Sequence, residues 1–305
     1  MRASLVCLVI GALAAGGCVP ADEAVGLGSV EFTFTVSTRT ELGLLADETD
    51  GWAVVFDRIV LGFKTMTIGK VGVDDVCSYR GRGESADVVF DPRLGLVQTF
   101  NGIEPVACPD VGVIFTPPGA STTLGNGVTS KDLVELASGS PAHAIIEATA
   151  TEDVHFRASR KPRTLRIALR FDTERTPSRF GGCRDSARGV RIVAGTREEG
   201  RVLFAAERLF RNAIAPNAGL RVFPFNDADE RSDGDGVVTM DDLDMMPLGS
   251  ARRRGGEYLL PDDAPHDSFG DFVRFLFRQT LLFGTEDGLC IGNAPGDEDT
   301  SVSEE

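Results

Sequence analysis

Histidine, tryptophan and tyrosine are scarce in this chain of 305 residues, at three, one and two copies. The three histidines, His143, His155 and His266, leave little room for a His-built zinc site or a His-dependent catalytic apparatus. The few Trp and Tyr rings give little surface for stacking on sugars. No Cys-x-x-Cys spacing occurs, which argues against a zinc-thiolate centre. A Gly-x-Ser-x-Gly elbow, a phosphate loop and a His-Glu-x-x-His helix are also missing. An enzyme is therefore not expected, although the abundant Asp and Glu could supply a carboxylate pair for glycoside hydrolysis. Positive charge is in deficit too: 31 Lys plus Arg stand against 46 Asp plus Glu, a net charge of −15. That balance argues against nucleic-acid partners, which need a positive surface.

What is present suffices for a core. Hydrophobic residues make up 42% of the chain, so wholesale disorder is excluded, and the length suits one large domain or two small ones. Met1 and Arg2 precede an apolar stretch, Leu5 to Ala15, that matches a signal-peptide core and is too short to span a bilayer. Ala15-Gly16-Gly17-Cys18 follows, and small residues directly before a Cys resemble the lipobox of bacterial lipoproteins. That resemblance implies cleavage after Gly17, lipidation of Cys18 and a membrane anchor through the lipid. Ala15 stands where the lipobox usually has Leu, and an ordinary secretory peptide is the alternative. Val19 rather than Asp after the Cys favours the outer membrane, on its periplasmic or surface face. Cys7 leaves with the signal, so four cysteines remain for an oxidising compartment: Cys77, Cys108, Cys183 and Cys290. Four cysteines allow three connectivities. The pairing Cys77–Cys108 with Cys183–Cys290 is favoured, since the first pair is close in sequence and the second ties the C-terminal segment to the body.

The middle of the chain reads as β-structure. Val30, Phe32, Phe34 and Val36 alternate with polar residues, as do Leu165, Ile167, Leu169 and Phe171. Further strands are expected within Trp52–Phe63, Met66–Val71, Ala86–Phe90, Gly112–Thr116 and Ala144–Ala150. Met66–Val71 could pair with Trp52–Phe63, and a late hairpin is expected from Val190–Val193 and Arg201–Phe204. Short helices are expected at Lys131–Ala137 and Ala206–Ile214. Many short strands separated by turn residues predict a mainly β fold, an antiparallel β-sandwich. His143 and His155 fall on predicted strands, where a hydrogen-bonded structural role is expected. Residues 157–191 hold eleven Lys or Arg against three Asp or Glu. That stretch could dock an anionic partner, but a solvent face neutralised by nearby acids is the simpler reading.

The strongest chemical signal is acidic. Residues 227–244 read DADERSDGDGVVTMDDLD, with eight carboxylates and one Arg. Such density is unfavourable without water or a cation, and Ca2+ suits a flexible cage of oxygen ligands. The half from Asp235 to Leu243 resembles the end of an EF-hand or dockerin calcium loop: Gly236 for the turn, Val238 as a β anchor, Asp242 to close. The first half departs from the pattern, because Arg231 occupies the first ligand position. A two-residue insertion that brings in Asp229 repairs it. The candidate metal set is Asp229, Asp233, Asp235, Val237, Thr239 and Asp242, and an acidic linker that binds nothing is the alternative. A single loop points to structural rather than signalling calcium.

A buried C-terminal helix is expected from Asp267 or Ser268, as cap, to Gly284. Arg274 and Arg278 mark its polar stripe. The expected organisation is a signal peptide (1–17), a lipidated linker (18–28), a β-sandwich (29–222), a calcium-loop and helical segment (223–290) and a disordered acidic tail (291–305). The order of features resembles a group of uncharacterised bacterial lipoproteins. The resemblance is carried by the lipobox, Asp50-Gly51-Trp52-Ala53-Val54-Val55-Phe56-Asp57, Phe171-Asp172-Thr173 before Cys183, a Leu-Phe segment, the Asp-Gly-Asp-Gly loop and a last helix before Cys290. Histidines that members carry near these motifs are not His here, so no metal role passes across from them. The resemblance implies architecture, lipidation and the calcium loop, and no activity. The functional expectation is a lipid-anchored, calcium-binding structural or adhesion protein. The alternative is a solute- or glycan-binding module built around Trp52, Tyr79 or the basic stretch.

Overall fold

The computed structural model describes residues 26–69, 81–82, 87–103, 107–108, 110–156, 163–184, 190–213, 218–255, 267–285 and 288–292. Residues 1–25, where a signal peptide and the lipidated Cys18 are expected, and Cys77, Tyr79, His266 and residues 293–305 lie outside the described residues.

Strands in chain order are β1 (Gly28–Val36), β2 (Trp52–Gly69), β3 (Gly81–Arg82), β4 (Val88–Phe90), β5 (Leu96–Ile103), β6 (Ala107–Cys108), β7 (Asp110–Phe115) and β8 (Thr123–Leu124). They continue as β9 (Ala142–Glu152), β10 (Thr164–Asp172), β11 (Arg179–Arg184), β12 (Val190–Arg191), β13 (Arg197–Phe204), β14 (Val237–Thr239), β15 (Leu281–Phe283) and β16 (Leu289–Gly292). The α-helices are α1 (Thr38–Leu42), α2 (Ser130–Ala137), α3 (Phe223–Arg231), α4 (Met240–Met245), α5 (Leu248–Gly255) and α6 (Phe269–Phe277).

The fold is mainly β, with 45% strand and 25% helix. One sheet has the order β15-β13-β1-β5, and a larger one runs β14-β10-β9-β2-β7-β11-β16, with β3 and β4 beside β2 and β8 beside β4. The sheets are mixed rather than purely antiparallel. β1 pairs in parallel with β13, β10 with β14, and β4 with β8. Alternation along a strand reports which face is buried, not the direction of the neighbour, so this difference could not be read from the pattern.

The spine of the large sheet is β2, an unbroken strand of 18 residues. The two segments expected to pair with each other are instead consecutive along it, Trp52–Phe63 and then Met66–Gly69, with residues 70 and 71 outside the described ones. Its first part pairs with β9 and its second with β7. The expected late hairpin also dissolves: β12 pairs with β6, whereas β13 joins β1 and β15. Both sheets feed one core, where Phe34 of β1 meets Phe63 of β2 with ring centroids 5.1 Å apart. Residues on both sides of position 222 share that core, among them Phe171, Phe225, Val238 and Phe272.

The last helix starts where the sequence indicates, since the Ser268 side chain accepts from the Asp271 N–H at 3.0 Å. It stops at Phe277 rather than continuing to Gly284, because Leu281–Phe283, fully apolar, pairs with β13 instead. Arg274 is not part of a wet stripe; it is 5% exposed. Ala206–Phe210 is a 3-10 turn rather than a longer helix. Ile291 and Gly292, expected in the tail, belong to β16, which pairs with β11. A disulfide joins Cys183 of β11 to Cys290 of β16, as expected. Cys108 lies on β6, and its pairing with Cys77 falls outside the described residues.

Candidate functional site

The acidic segment folds as helix, loop, short strand and helix. α3 holds Asp227 and Asp229, both buried. Its C-terminal residues pass into a turn at Ser232, whose N–H donates to the Ala228 and Asp229 carbonyls. Gly234 and Gly236 have φ of 67° and 85°, the left-handed region that a side chain would strain. β14 then lays Val237–Thr239 in parallel along Arg166–Ala168 of β10, burying Val238 completely. Thr239 caps α4, and Leu243 packs inward from it.

This path brings Asp229, Asp233 and Asp235 together, with one carboxylate oxygen from each lying within 4.8 Å of the others. These three could hold a metal ion. Each also braces the loop. Asp229 Oδ1 accepts from the Gly236 N–H at 2.9 Å, Asp233 Oδ1 from Asp235 at 3.3 Å, and Asp235 Oδ1 from Val237 at 2.7 Å. Asp229 is buried, whereas Asp233 and Asp235 are exposed. Burial pushes the Asp229 carboxyl above the usual carboxylate range, and the charges of Asp235, Asp233 and Asp242 add to this against the Gly236 hydrogen bond. A cation would reverse each of these repulsions.

The rest of the expected set is placed differently. Val237 lends its N–H to Asp235, and its side chain does not take part. Asp242 and Thr239 form a capping box: Asp242 Oδ2 accepts from the Thr239 N–H at 2.8 Å and its hydroxyl at 2.7 Å. Burial raises the Asp242 carboxyl, but hydrogen bonds from Ser232 and Thr239 outweigh it and hold the group below the usual range. The residue expected to close the cage is thus engaged in starting α4. Ser-or-Thr followed three residues later by an acid is the capping-box pattern, so this competing role was legible at Thr239 and Asp242.

A second acidic cluster sits at the other end of α4. Asp244 receives a two-point hydrogen bond from Arg274 of α6, at 2.6 and 2.8 Å, and a further one from Arg175 at 2.7 Å. Arg175 also reaches Asp271 at 2.7 Å. Burial raises the Asp244 carboxyl, and Arg274 and Arg175 more than offset it. Sequence reasoning missed this network, because its partners lie 69 and 30 residues from Asp244.

Beside it opens a cleft of about 470 Å³, lined in part by Arg170, Glu174, Arg175, Asp241 and Arg274. Its arginines are engaged: Arg170 donates to the Glu135 and Leu136 carbonyls at the end of α2 at 3.2 and 2.9 Å, and the other two hold Asp244. Elsewhere in the basic stretch, Arg166 pairs with Glu147 at 3.2 Å and Arg163 with Glu230. Trp52 is 1% exposed and lines no binding surface.

No protein-family model matches the chain, and no curated protein or solved structure matches it either.

Proposed function

We propose that the chain is an exported calcium-binding lipoprotein, held at the bacterial outer membrane by a lipid on Cys18, with a structural or adhesion role and no catalytic activity. The observation that carries the calcium reading is the gathering of Asp229, Asp233 and Asp235 around a glycine turn between two helices. Three carboxylates are hard oxygen donors, which suit Ca2+ better than a soft transition metal. Within this reading the segment is a variant EF-hand-like loop on a sandwich-like body. The carbonyl of Val237 supplies a further oxygen, and Thr239 and Asp242 support the loop from α4. The ion acts structurally, because the same turn leads directly into β14 and α4. Export and the lipid rest on the N-terminal sequence and on the resemblance to bacterial lipoproteins; Cys183–Cys290 suits that compartment.

Extracellular calcium modules bind at roughly 0.1 to 1 mM. At about 10 mM Ca2+, mass action then adds roughly 1.4 to 2.7 kcal/mol to the folded state. A thermal melt of the mature protein in Ca2+ against EDTA tests the proposal. An upward shift that Mg2+ does not reproduce is expected, and coincident melts would overturn the calcium reading. Intact mass of the membrane fraction tests lipidation at Cys18 separately.

The cleft favours the second reading, a solute- or glycan-binding module. Against it, Arg170, Arg175 and Arg274 already have protein partners, and Trp52 is sealed in the core.

A further inference from the structure

His143 lies on β9 and is fully buried. Its ring stacks on Phe115 of β7, with centroids 6.1 Å apart and planes 11° apart. It also meets Phe277 edge-on at 5.4 Å. Phe277 ends α6 and touches Phe171, Phe180 and Phe204, from β10, β11 and β13. The imidazole therefore sits in the joint between the large sheet and the last helix. Neither Nδ1 nor Nε2 has a hydrogen-bond partner.

A neutral imidazole is tolerable there, as one more flat ring among aromatic ones. An imidazolium is not, because it brings a full charge and two N–H donors into a site without an acceptor. Among the described residues, nothing packed around it offers that acceptor. On β10, Asp172 favours the charged form, but its Oδ1 already takes the Glu174 and Arg175 N–H groups at 3.0 and 2.8 Å. On α6, Asp271 and Arg274 are tied to Ser268, Arg175 and Asp244, and Arg278 beyond it lies over the Phe275 ring. β7 presents Phe115, with its ionisable Asp110 at the opposite end of the strand. From β2, uncharged Leu61 pairs with Ala144, the next residue of β9.

We propose that His143 is an acid-triggered latch: protonation of its ring detaches the Phe277 end of α6 from the large sheet, while the Cys183–Cys290 disulfide retains β16. Burial holds the imidazole well below its ordinary value, at about 4. The closed state therefore has its full stability above the ordinary imidazole range and loses it as pH falls toward that lowered value.

Hydrogen exchange on the mature, disulfide-intact protein in EDTA tests the latch, with amides of α6 read against the β2–β9 ladder. Between pH 7 and 4, protection of the α6 amides falls by roughly 100-fold relative to the ladder, the factor set by the displaced imidazole. His143→Phe and His143→Leu abolish the fall. Unchanged α6 protection in the natural protein, or an equal fall in both variants, overturns the proposal. Should neither variant fold, the His143 ring resonance in the natural protein decides. Titration together with α6 opening supports the latch, and titration with α6 still protected overturns it.

Discussion

The two ends of α4 handle the same electrostatic problem in opposite ways. At its C-terminal side, Asp244 is met by Arg274 and Arg175, delivered from distant parts of the chain. Before its N-terminal side, Asp229, Asp233 and Asp235 converge, each accepting from a backbone N–H, and no arginine among the described residues hydrogen-bonds to them. The carboxylate that ties α4 to α6 is matched by guanidinium groups. Those left to face one another invite a mobile cation. Acidity alone does not separate the two cases; the presence of an opposing side chain does.

The largest expected effect breaks the matched end. Asp244→Asn leaves the buried Arg274 guanidinium with only the longer contact to Asp271 at 3.5 Å, a loss of about 3 kcal/mol in chemical denaturation, because a poorly paired buried charge is costly. The calcium-induced shift in melting temperature stays as in the natural protein. The Asp244 carboxyl is held below its ordinary value, so its contribution is complete above the ordinary carboxylate range and is lost as pH falls through the lowered one. An acid titration of stability should show that loss in the natural protein and not in the variant.

A smaller effect breaks the unmatched end. Asp233→Asn combined with Asp235→Asn should remove the roughly 1.4 to 2.7 kcal/mol conferred by about 10 mM Ca2+. In EDTA this double variant should melt at or slightly above the natural protein, because a repulsion has been relieved. A retained calcium shift would place the ion elsewhere.

The smallest sharpens the boundary between the two. Asp242→Ala removes the N3 partner of the Thr239 cap and costs about 1 kcal/mol with or without calcium. Differential scanning fluorimetry in both conditions checks it. A cost that appears only with calcium would instead return Asp242 to the coordination shell.

Local patterns were legible in the sequence and non-local ones were not. The alternation in β1 and β10, the Ser268 cap and the Gly236 turn each depend on a few neighbouring residues, and each appears where expected. The Cys183–Cys290 link was inferred by counting in an oxidising compartment. The unbroken course of β2 was hidden, since a long strand and a hairpin of two strands share the same composition until a turn residue decides. The parallel pairing of β1 with β13 joins residues such as Ser29 and Arg197, and nothing local reports it. At the candidate site, Asp229 was recoverable only by allowing an insertion, and the helix that carries it, α3, was not anticipated. His143 was expected to be hydrogen-bonded, yet it lies unpartnered among phenylalanines because the strands and helix around it bring rings and no acceptor.

The large sheet ends in very short strands, β14 of three residues and β16 of four. An exposed edge such as β10, with its alternating apolar face, would be a template for strand addition by another chain and hence for aggregation. β14 occupies that edge and is anchored by the acidic loop, while β16 covers β11 and is anchored by a covalent bond. The loop and the disulfide thus serve as caps at opposite ends of one ribbon, guarding both edges against strand addition.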